Sequence, residues 1–256
     1  MIIPREEAVK SVNILNVSID NLSLLELLNE LKVGGVVFTP NIDHIMKLQK
    51  DRSFYNIYHQ ADYRVCDSQL LMLASRFLGQ PIKEKISGSD LFPAFYEHYQ
   101  HDEEVKIFLL GGVEGAAEIA RKNINAKVGR DMIIDSYCPP FGFEKDEAEC
   151  DKIIQLINNS EATVLAVGVG APKQEKWINS HKSQLNKIKT FFAIGGTIEF
   201  EADFRARAPK WVSQAGLEWL YRLMQEPKRL WRRYLLEDIP FFFLILKQKL
   251  QLQIKN

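Results

Sequence analysis

Six short apolar runs, each separated from the next by a longer segment of helical period, restrict this chain more than any other feature. They are Val36–Thr39, Tyr63–Cys66, Val105–Leu110, Met132–Ser136, Val164–Val169 and Thr190–Ile194. Rich in Val, Ile and Phe and almost continuously apolar, they have the pattern of strands covered on both faces. Helical spacing is expected near Ile42–His59, Gln69–Leu78, Asp90–Tyr99, Glu114–Ala126, Asp146–Asn158 and Gln174–Gln184. This alternation predicts an α/β body, Rossmann-like, with a mainly parallel sheet between two helical layers. With 256 residues, 46% of them hydrophobic, the chain can bury such a core, and wholesale disorder is excluded.

The pattern changes after Phe204. No further strand is predicted, and Pro209–Leu235 has the spacing of one or two helices interrupted at Pro227. Residues 1–204 are therefore taken as the body and 205–256 as an appendage, too short to hold an independent core. Formal charge is zero overall, yet the appendage has eleven basic and four acidic residues, a net of +7, so the body carries −7. Arg222, Lys228, Arg229, Arg232 and Arg233 are interleaved with Trp219, Trp231 and Tyr234. A uniformly basic nucleic-acid binder is excluded, and a local anionic partner such as phosphate or an anionic membrane surface is favoured. Leu217, Leu220, Tyr221 and Met224 fall on one helical face, which is expected to bury itself against the body.

The first residues carry acids and no apolar core of a signal peptide, and the longest late apolar run, Ile239–Leu246, is too short to span a bilayer. A cytoplasmic protein is expected, with reduced thiols at Cys66, Cys138 and Cys150. No CxxC, HxxxH or GxSxG occurs; no metal site or cofactor is expected, and the five histidines read as surface or packing residues.

Ligands of open parallel sheets bind beyond the carboxyl ends of the strands. Four such ends carry suggestive residues. Thr39 and Asn41 follow the first run, and Asn41 serves equally well as a helix N-cap. Asp67 follows the second, either as an N-cap or as a general base for a hydroxyl nucleophile. Gly111, Gly112 and Gly115 follow the third, suited to backbone approach by an anion or simply to a tight turn. Gly170, Pro172, Lys173, Gln174 and Glu175 follow the fifth, and Gly195-Gly196-Thr197 closes the sixth similarly. Neither a full GxGxxG nor a Walker lysine is present. Residue types and spacing alone thus reach an α/β enzyme that binds a phosphorylated ligand.

Several segments together narrow this. They are TPNIDHI (39–45), ADYRVCDSQLL (61–71), KISGSDL (85–91), FLLGG (108–112), VGVGAPKQEKWI (168–178), AIGGTIEF (193–200), RAPKW (207–211) and GLEWLYRLMQEPKRLWRRY (216–234). In this order, over nearly the whole chain, they resemble the WecG/TagA/CpsF family of bacterial glycosyltransferases. The resemblance implies inverting transfer of a sugar, usually of N-acetylmannosamine type, from a UDP-sugar donor to a polyprenyl-diphosphate-linked acceptor, with no obligatory metal. Such steps build teichoic acid linkage units and other surface polysaccharides. Asp67 falls at the position proposed as the base, and Thr39, Asn41 and Gln174 match residues of the active-site pocket. Gly111, Gly112, Gly195 and Gly196 lie where the nucleotide is expected. Gly170, Lys173, Lys85, Arg207, Arg222 and Arg229 complete the expected binding set.

Three departures stand out: Ser68 and Asp203 where glycine is common, and Lys85 where arginine is common, which keeps charge but loses the bidentate fork. The appendage is expected to dock on the body, help close the donor site and hold the enzyme at the inner face of the plasma membrane. A soluble lid or a homo-oligomer contact is its alternative. The competing function is a nucleotide-sugar or phospho-ligand binding protein without turnover, and a membrane-surface adaptor is a third.

Overall fold

The computed structural model describes residues 11–209, 212 and 217–255; the side chains of Arg229, Leu235 and Lys255 are outside it. The strands in chain order are β1 (Ser11–Ile14), β2 (Val17–Asp20), β3 (Gly35–Phe38), β4 (Tyr63–Arg64), β5 (Ile107–Gly111), β6 (Ile133–Tyr137), β7 (Val164–Gly168) and β8 (Thr190–Ala193). The last six form one sheet in the order β4-β3-β8-β7-β5-β6, and every pairing in it is parallel. β1 and β2 form a separate antiparallel hairpin.

The helices of the body are α1 (Leu24–Glu30), α2 (Ile42–Lys50), α3 (Arg52–His59), α4 (Gln69–Leu78), α5 (Gly88–His98), α6 (Ala116–Val128), α7 (Glu147–Asn159), α8 (Lys173–His181) and α9 (Thr197–Glu201). They divide into two layers, each with its own core. Side chains of α2, α3, α4, α7 and α8 pack on one face of the sheet, and those of α1, α5, α6 and α9 on the other. Every residue of β5, β7 and β8 is buried, as the continuous apolar runs require.

All six predicted strands are present, and α4 has the predicted bounds. The helical stretch expected over Ile42–His59 is two helices. Asp51 takes an extended conformation and its carboxylate accepts the Phe54 N–H at 3.0 Å, capping a new helix instead of continuing the old one. The β1–β2 hairpin was not anticipated.

Beyond the body come α10 (Glu218–Gln225), α11 (Pro227–Arg232), a π-turn over Arg233–Glu237 and α12 (Ile239–Lys255). Pro227 starts α11 at a position where its missing N–H costs nothing. The face of α10 expected to be buried is not: Leu217, Leu220 and Met224 are exposed, Met224 at 76%. Docking is carried instead by Leu230 and by Phe241 and Ile245 of α12, which enter the core beside α2 and α4. Gln248 ties α12 to the hairpin, accepting the Leu15 N–H at 2.9 Å and donating to the Asn13 carbonyl at 3.0 Å. Phe241 is thus a core residue. No described helix is long and apolar enough to cross a membrane.

Candidate active site

The loop after β4 is held at both ends. The Asp67 N–H donates to the Pro40 carbonyl at 2.9 Å, and the Ile86 N–H to the Cys66 carbonyl at 2.7 Å. The N-cap of α4 is Ser68, whose Oγ accepts the Leu71 N–H. Capping therefore does not explain Asp67, and the serine that replaces the common glycine has a local task. Burial pushes the Asp67 carboxyl up to about 7, against Arg222 and Lys85, which lower it, and with Glu218 and Asp90, which raise it. A carboxyl ionising near neutrality suits a general base.

Asn41 does cap α2, accepting the His44 N–H at 3.1 Å. The same oxygen receives Arg233 Nη2 at 3.4 Å from the C-terminal segment, and that guanidinium also lies 3.6 Å from Asp43. Two cavities lie between body and appendage. The smaller, of about 200 Å³, is lined by Asn41, Asp43, Asp67, Trp219, Asp238 and Phe242 among others. The larger, of about 760 Å³, takes in Asp90, Arg205, Arg207 and Tyr221. Lys85, Arg222, Arg233, Glu218 and Tyr234 border both.

The cations here are paired with acids. Lys85 lies 3.4 Å from Asp90 and 3.7 Å from Glu218; Arg207 lies 2.6 Å from Asp90; Arg222 bonds Glu218 and Arg205 bonds Glu226. Burial opposes the charge of both Lys85 and Arg222, but their acidic neighbours, Asp67 included, outweigh it and hold both above their ordinary pKa. Both remain cationic and can exchange carboxylate partners for phosphate oxygens.

The glycine turns lie on other strands. Gly111 and Gly112 end β5, Gly170 follows β7 and Gly195-Gly196 follows β8, on three adjacent strands. Gly111 has φ +119, and a Cβ there would lie 2.5 Å from the Gly168 carbonyl oxygen, so two strand ends approach as only glycine permits. Gln174 is buried and its Oε1 accepts both the Gly170 N–H, at 3.2 Å, and the Gly195 N–H, at 3.1 Å. Its Nε2 donates to Glu175 Oε1 at 2.9 Å. It is a clamp between two turns.

Of the residues named from sequence, the structure gathers Asp67, Asn41, Lys85, Arg207 and Arg222 around these cavities. Thr39 is buried. Thr39, Gln174, Gly111, Gly112, Gly170, Gly195 and Gly196 line neither cavity. Lys173 points elsewhere too, pairing with Glu144 at 3.4 Å and lying over the fully exposed Phe141 ring. The Arg229 side chain lies outside the described residues. Sequence reasoning missed Glu218, Arg233 and Asp238 as site residues. The signals for them were two acids in a basic tail and one arginine among several.

Among the described residues no three His, Cys, Asp or Glu side chains gather as a metal-ligand set. The family model for the "Glycosyl transferase WecG/TagA/CpsF family" matches residues 12–255. Proteins of Staphylococcus aureus strains MRSA252 and MW2 are each 27% identical over 241 residues, covering 90% of this chain and 90% of theirs. Both are named N-acetylglucosaminyldiphosphoundecaprenol N-acetyl-beta-D-mannosaminyltransferase. With a match that runs from β1 to the last turn of α12, this chain belongs to the WecG/TagA/CpsF family of glycosyltransferases.

Proposed function

We propose that the protein transfers an N-acetylmannosamine-type sugar from a UDP-sugar to N-acetylglucosamine carried on a polyprenyl diphosphate, with inversion, in the synthesis of a surface polymer such as teichoic acid. The observation that carries this is Asp67: a carboxyl raised to about 7 on a cavity wall shared with Lys85 and Arg222. In this reading the Asp67 carboxylate takes the proton of the acceptor hydroxyl as it attacks the anomeric carbon from the face opposite the leaving group. The bond to the UDP oxygen breaks, and the charge growing on the diphosphate is met by Lys85 and Arg222. The glycine turns on β5, β7 and β8 leave the carboxyl end of the sheet free of side chains, so that a nucleotide can approach the backbone there. The acceptor named for the Staphylococcus aureus relatives supports the acceptor class.

The appendage supports residence at an anionic membrane surface, where such an acceptor is embedded. Along α12, Phe242, Phe243, Leu246, Leu250 and Ile254 are exposed, Phe243 at 71% and Ile254 at 85%, with Lys247 and Lys249 on the same helix. Aromatics beside basic residues suit a headgroup layer. Transfer from UDP-N-acetylmannosamine to a polyprenyl-diphosphate-linked N-acetylglucosamine, measured in vesicles containing anionic lipid, tests the reading. Product is expected with wild type, in excess chelator as well as without it, and at a rate ~10²–10⁴-fold lower with Asp67→Asn. UDP binding without product from any lipid-linked acceptor would leave a binding protein in place of an enzyme.

A further inference from the structure

We propose that the 200 Å³ cavity is the seat of the acceptor's sugar ring and that Asp238, on the C-terminal segment, accepts a hydrogen bond from one of its hydroxyls. This rests on the transfer reading above and assigns a substrate part to a place within it.

The chemistry of the wall selects the occupant. Four carboxyls, Asp43, Asp67, Glu218 and Asp238, line the cavity with the Asn41 amide, against three cations, Lys85, Arg222 and Arg233. A wall whose acids match its cations has little net attraction for a diphosphate, whereas the neutral hydroxyls of a pyranose donate readily to carboxylates. The arginine-rich 760 Å³ cavity next door, with Arg205 and Arg207, suits the phosphates. Lys85 and Arg222 border both spaces, so an acceptor ring in the smaller cavity meets the donor at the cations assigned to its leaving diphosphate.

Asp238 carries the argument furthest. It is 7% exposed, and its Oδ1 has no hydrogen-bond partner among the described residues. An acceptor buried in this way is costly unless a donor completes it, and a ligand hydroxyl would do so. Burial also raises its carboxyl to about 6, with Arg233 acting against the rise, so it accepts hydrogen bonds as a carboxylate at neutral pH. Trp219 and Phe242 add aromatic surface for the apolar C–H faces of a sugar ring, and the indole is steadied edge-on by Tyr234 at 5.8 Å. Phe242 is 52% exposed and adjoins the exposed Phe243, so the cavity opens where a lipid tail would leave it. A ring seated here has its hydroxyls beside Asp67, which distinguishes the acceptor from the donor.

Steady-state kinetics with UDP-N-acetylmannosamine and a short-chain polyprenyl-diphosphate-linked N-acetylglucosamine in detergent test this. Asp238→Ala is expected to raise the acceptor KM ~10-fold, a hydrogen bond's worth, while donor KM and UDP affinity stay within about twofold. Asp238→Asn keeps the shape and one acceptor oxygen, so it should recover part of the loss; it also serves if the alanine variant fails to fold. Trp219→Ala is expected to show the same acceptor-only signature. An unchanged acceptor KM in Asp238→Ala, a parallel rise in donor KM, or an asparagine variant no better than alanine would each overturn the assignment. Wild-type protein that transfers to no lipid-linked acceptor would overturn the transfer reading itself.

Discussion

The two ends of this site are built from different materials. On β5, β7 and β8 the carboxyl-end rim is backbone: glycines at close approach, locked by the amide of Gln174. On β3 and β4 the cleft is side chain: Asn41, Asp67 and Lys85 from the body meet Glu218, Arg222, Arg233 and Asp238 from a segment some 150 residues later. The rim meets its hydrogen-bonding needs within the fold and suits a part of the substrate that only has to be held. The cleft is full of charges paired across two parts of the chain, so it can rearrange around a substrate that reacts. If this division is right, substitutions in the cleft should change rate, and those in the rim should change binding and stability.

The largest effect is expected at Asp67. Asp67→Asn should lower kcat by ~10²–10⁴-fold, the usual cost of losing a general base, with UDP affinity nearly unchanged. Wild-type rate should rise with pH through about 7 as the carboxyl ionises. Stability should run the other way. The folded pKa lies above the unfolded one, so the folded state holds an extra proton between about 4 and 7, and that advantage is lost as pH rises through 7. Asp67→Asn should therefore melt higher than wild type at pH 8 and show little or no such gain at pH 5. A variant that turns over normally would turn the cleft into mere packing.

Next in size is Arg222, which borders both cavities and lies beside Asp67 and Glu218. Arg222→Ala should cost roughly 10²-fold in kcat, in the range seen when a transition-state charge donor is removed. Arg222→Lys should recover part of it, since lysine supplies charge without the fork. Equal rates for wild type and the alanine variant would place the leaving-group charge elsewhere. Gln174→Ala should act differently, weakening UDP binding and lowering stability by about 1 kcal/mol, since two part-buried N–H groups lose their acceptor. Isothermal titration with UDP and a melting curve would read both. A large kcat loss at unchanged UDP affinity would make Gln174 part of the cleft's chemistry.

How far the sequence led follows the same division. The sheet was legible because β5, β7 and β8 are buried on both faces and so read as unbroken apolar runs. The hairpin was not, since β1 alternates exposed and buried residues over only four positions, too few for a period to show. Asp67, Asn41, Lys85 and Arg222 could be named because strand ends and family motifs mark them. Asp238 could not, because an acid in a basic tail looks like a solvated charge until the fold shows it 7% exposed. The α10 face misled for a related reason. Spacing shows which residues share a side, but it does not say whether another surface arrives to cover them, and here Phe241 and Ile245 of α12 dock instead.

The smallest effect is expected at the joint between the two regions. Asp203 stands where glycine is common in the family, and it has φ +58, a left-handed conformation. The geometry around it is the Schellman arrangement that ends a helix. The Phe204 N–H reaches the Glu199 carbonyl at 2.9 Å, and the Asp203 N–H reaches the Phe200 carbonyl at 3.2 Å. Asp203 thus turns the chain out of α9 and sends it toward Arg205 and Arg207 at the larger cavity. A side chain pays roughly 1–2 kcal/mol for that conformation, and aspartate less, being one of the residues that visit it. Asp203→Gly should remove the strain and lose part of the gain to the entropy of a freer unfolded chain. The expected net is stabilisation of ~0.5–1 kcal/mol, a rise of about 1–4 °C in Tm for a chain of this size. Asp203→Ala keeps a Cβ and lacks the tolerance of aspartate for a left-handed conformation, so it should melt below wild type. Kinetic constants should hold in both variants, because the joint sets a direction and touches neither cavity. A glycine variant that melts lower would show that the Asp203 carboxylate does more for the turn than its backbone angle costs, and the common glycine would then need another explanation.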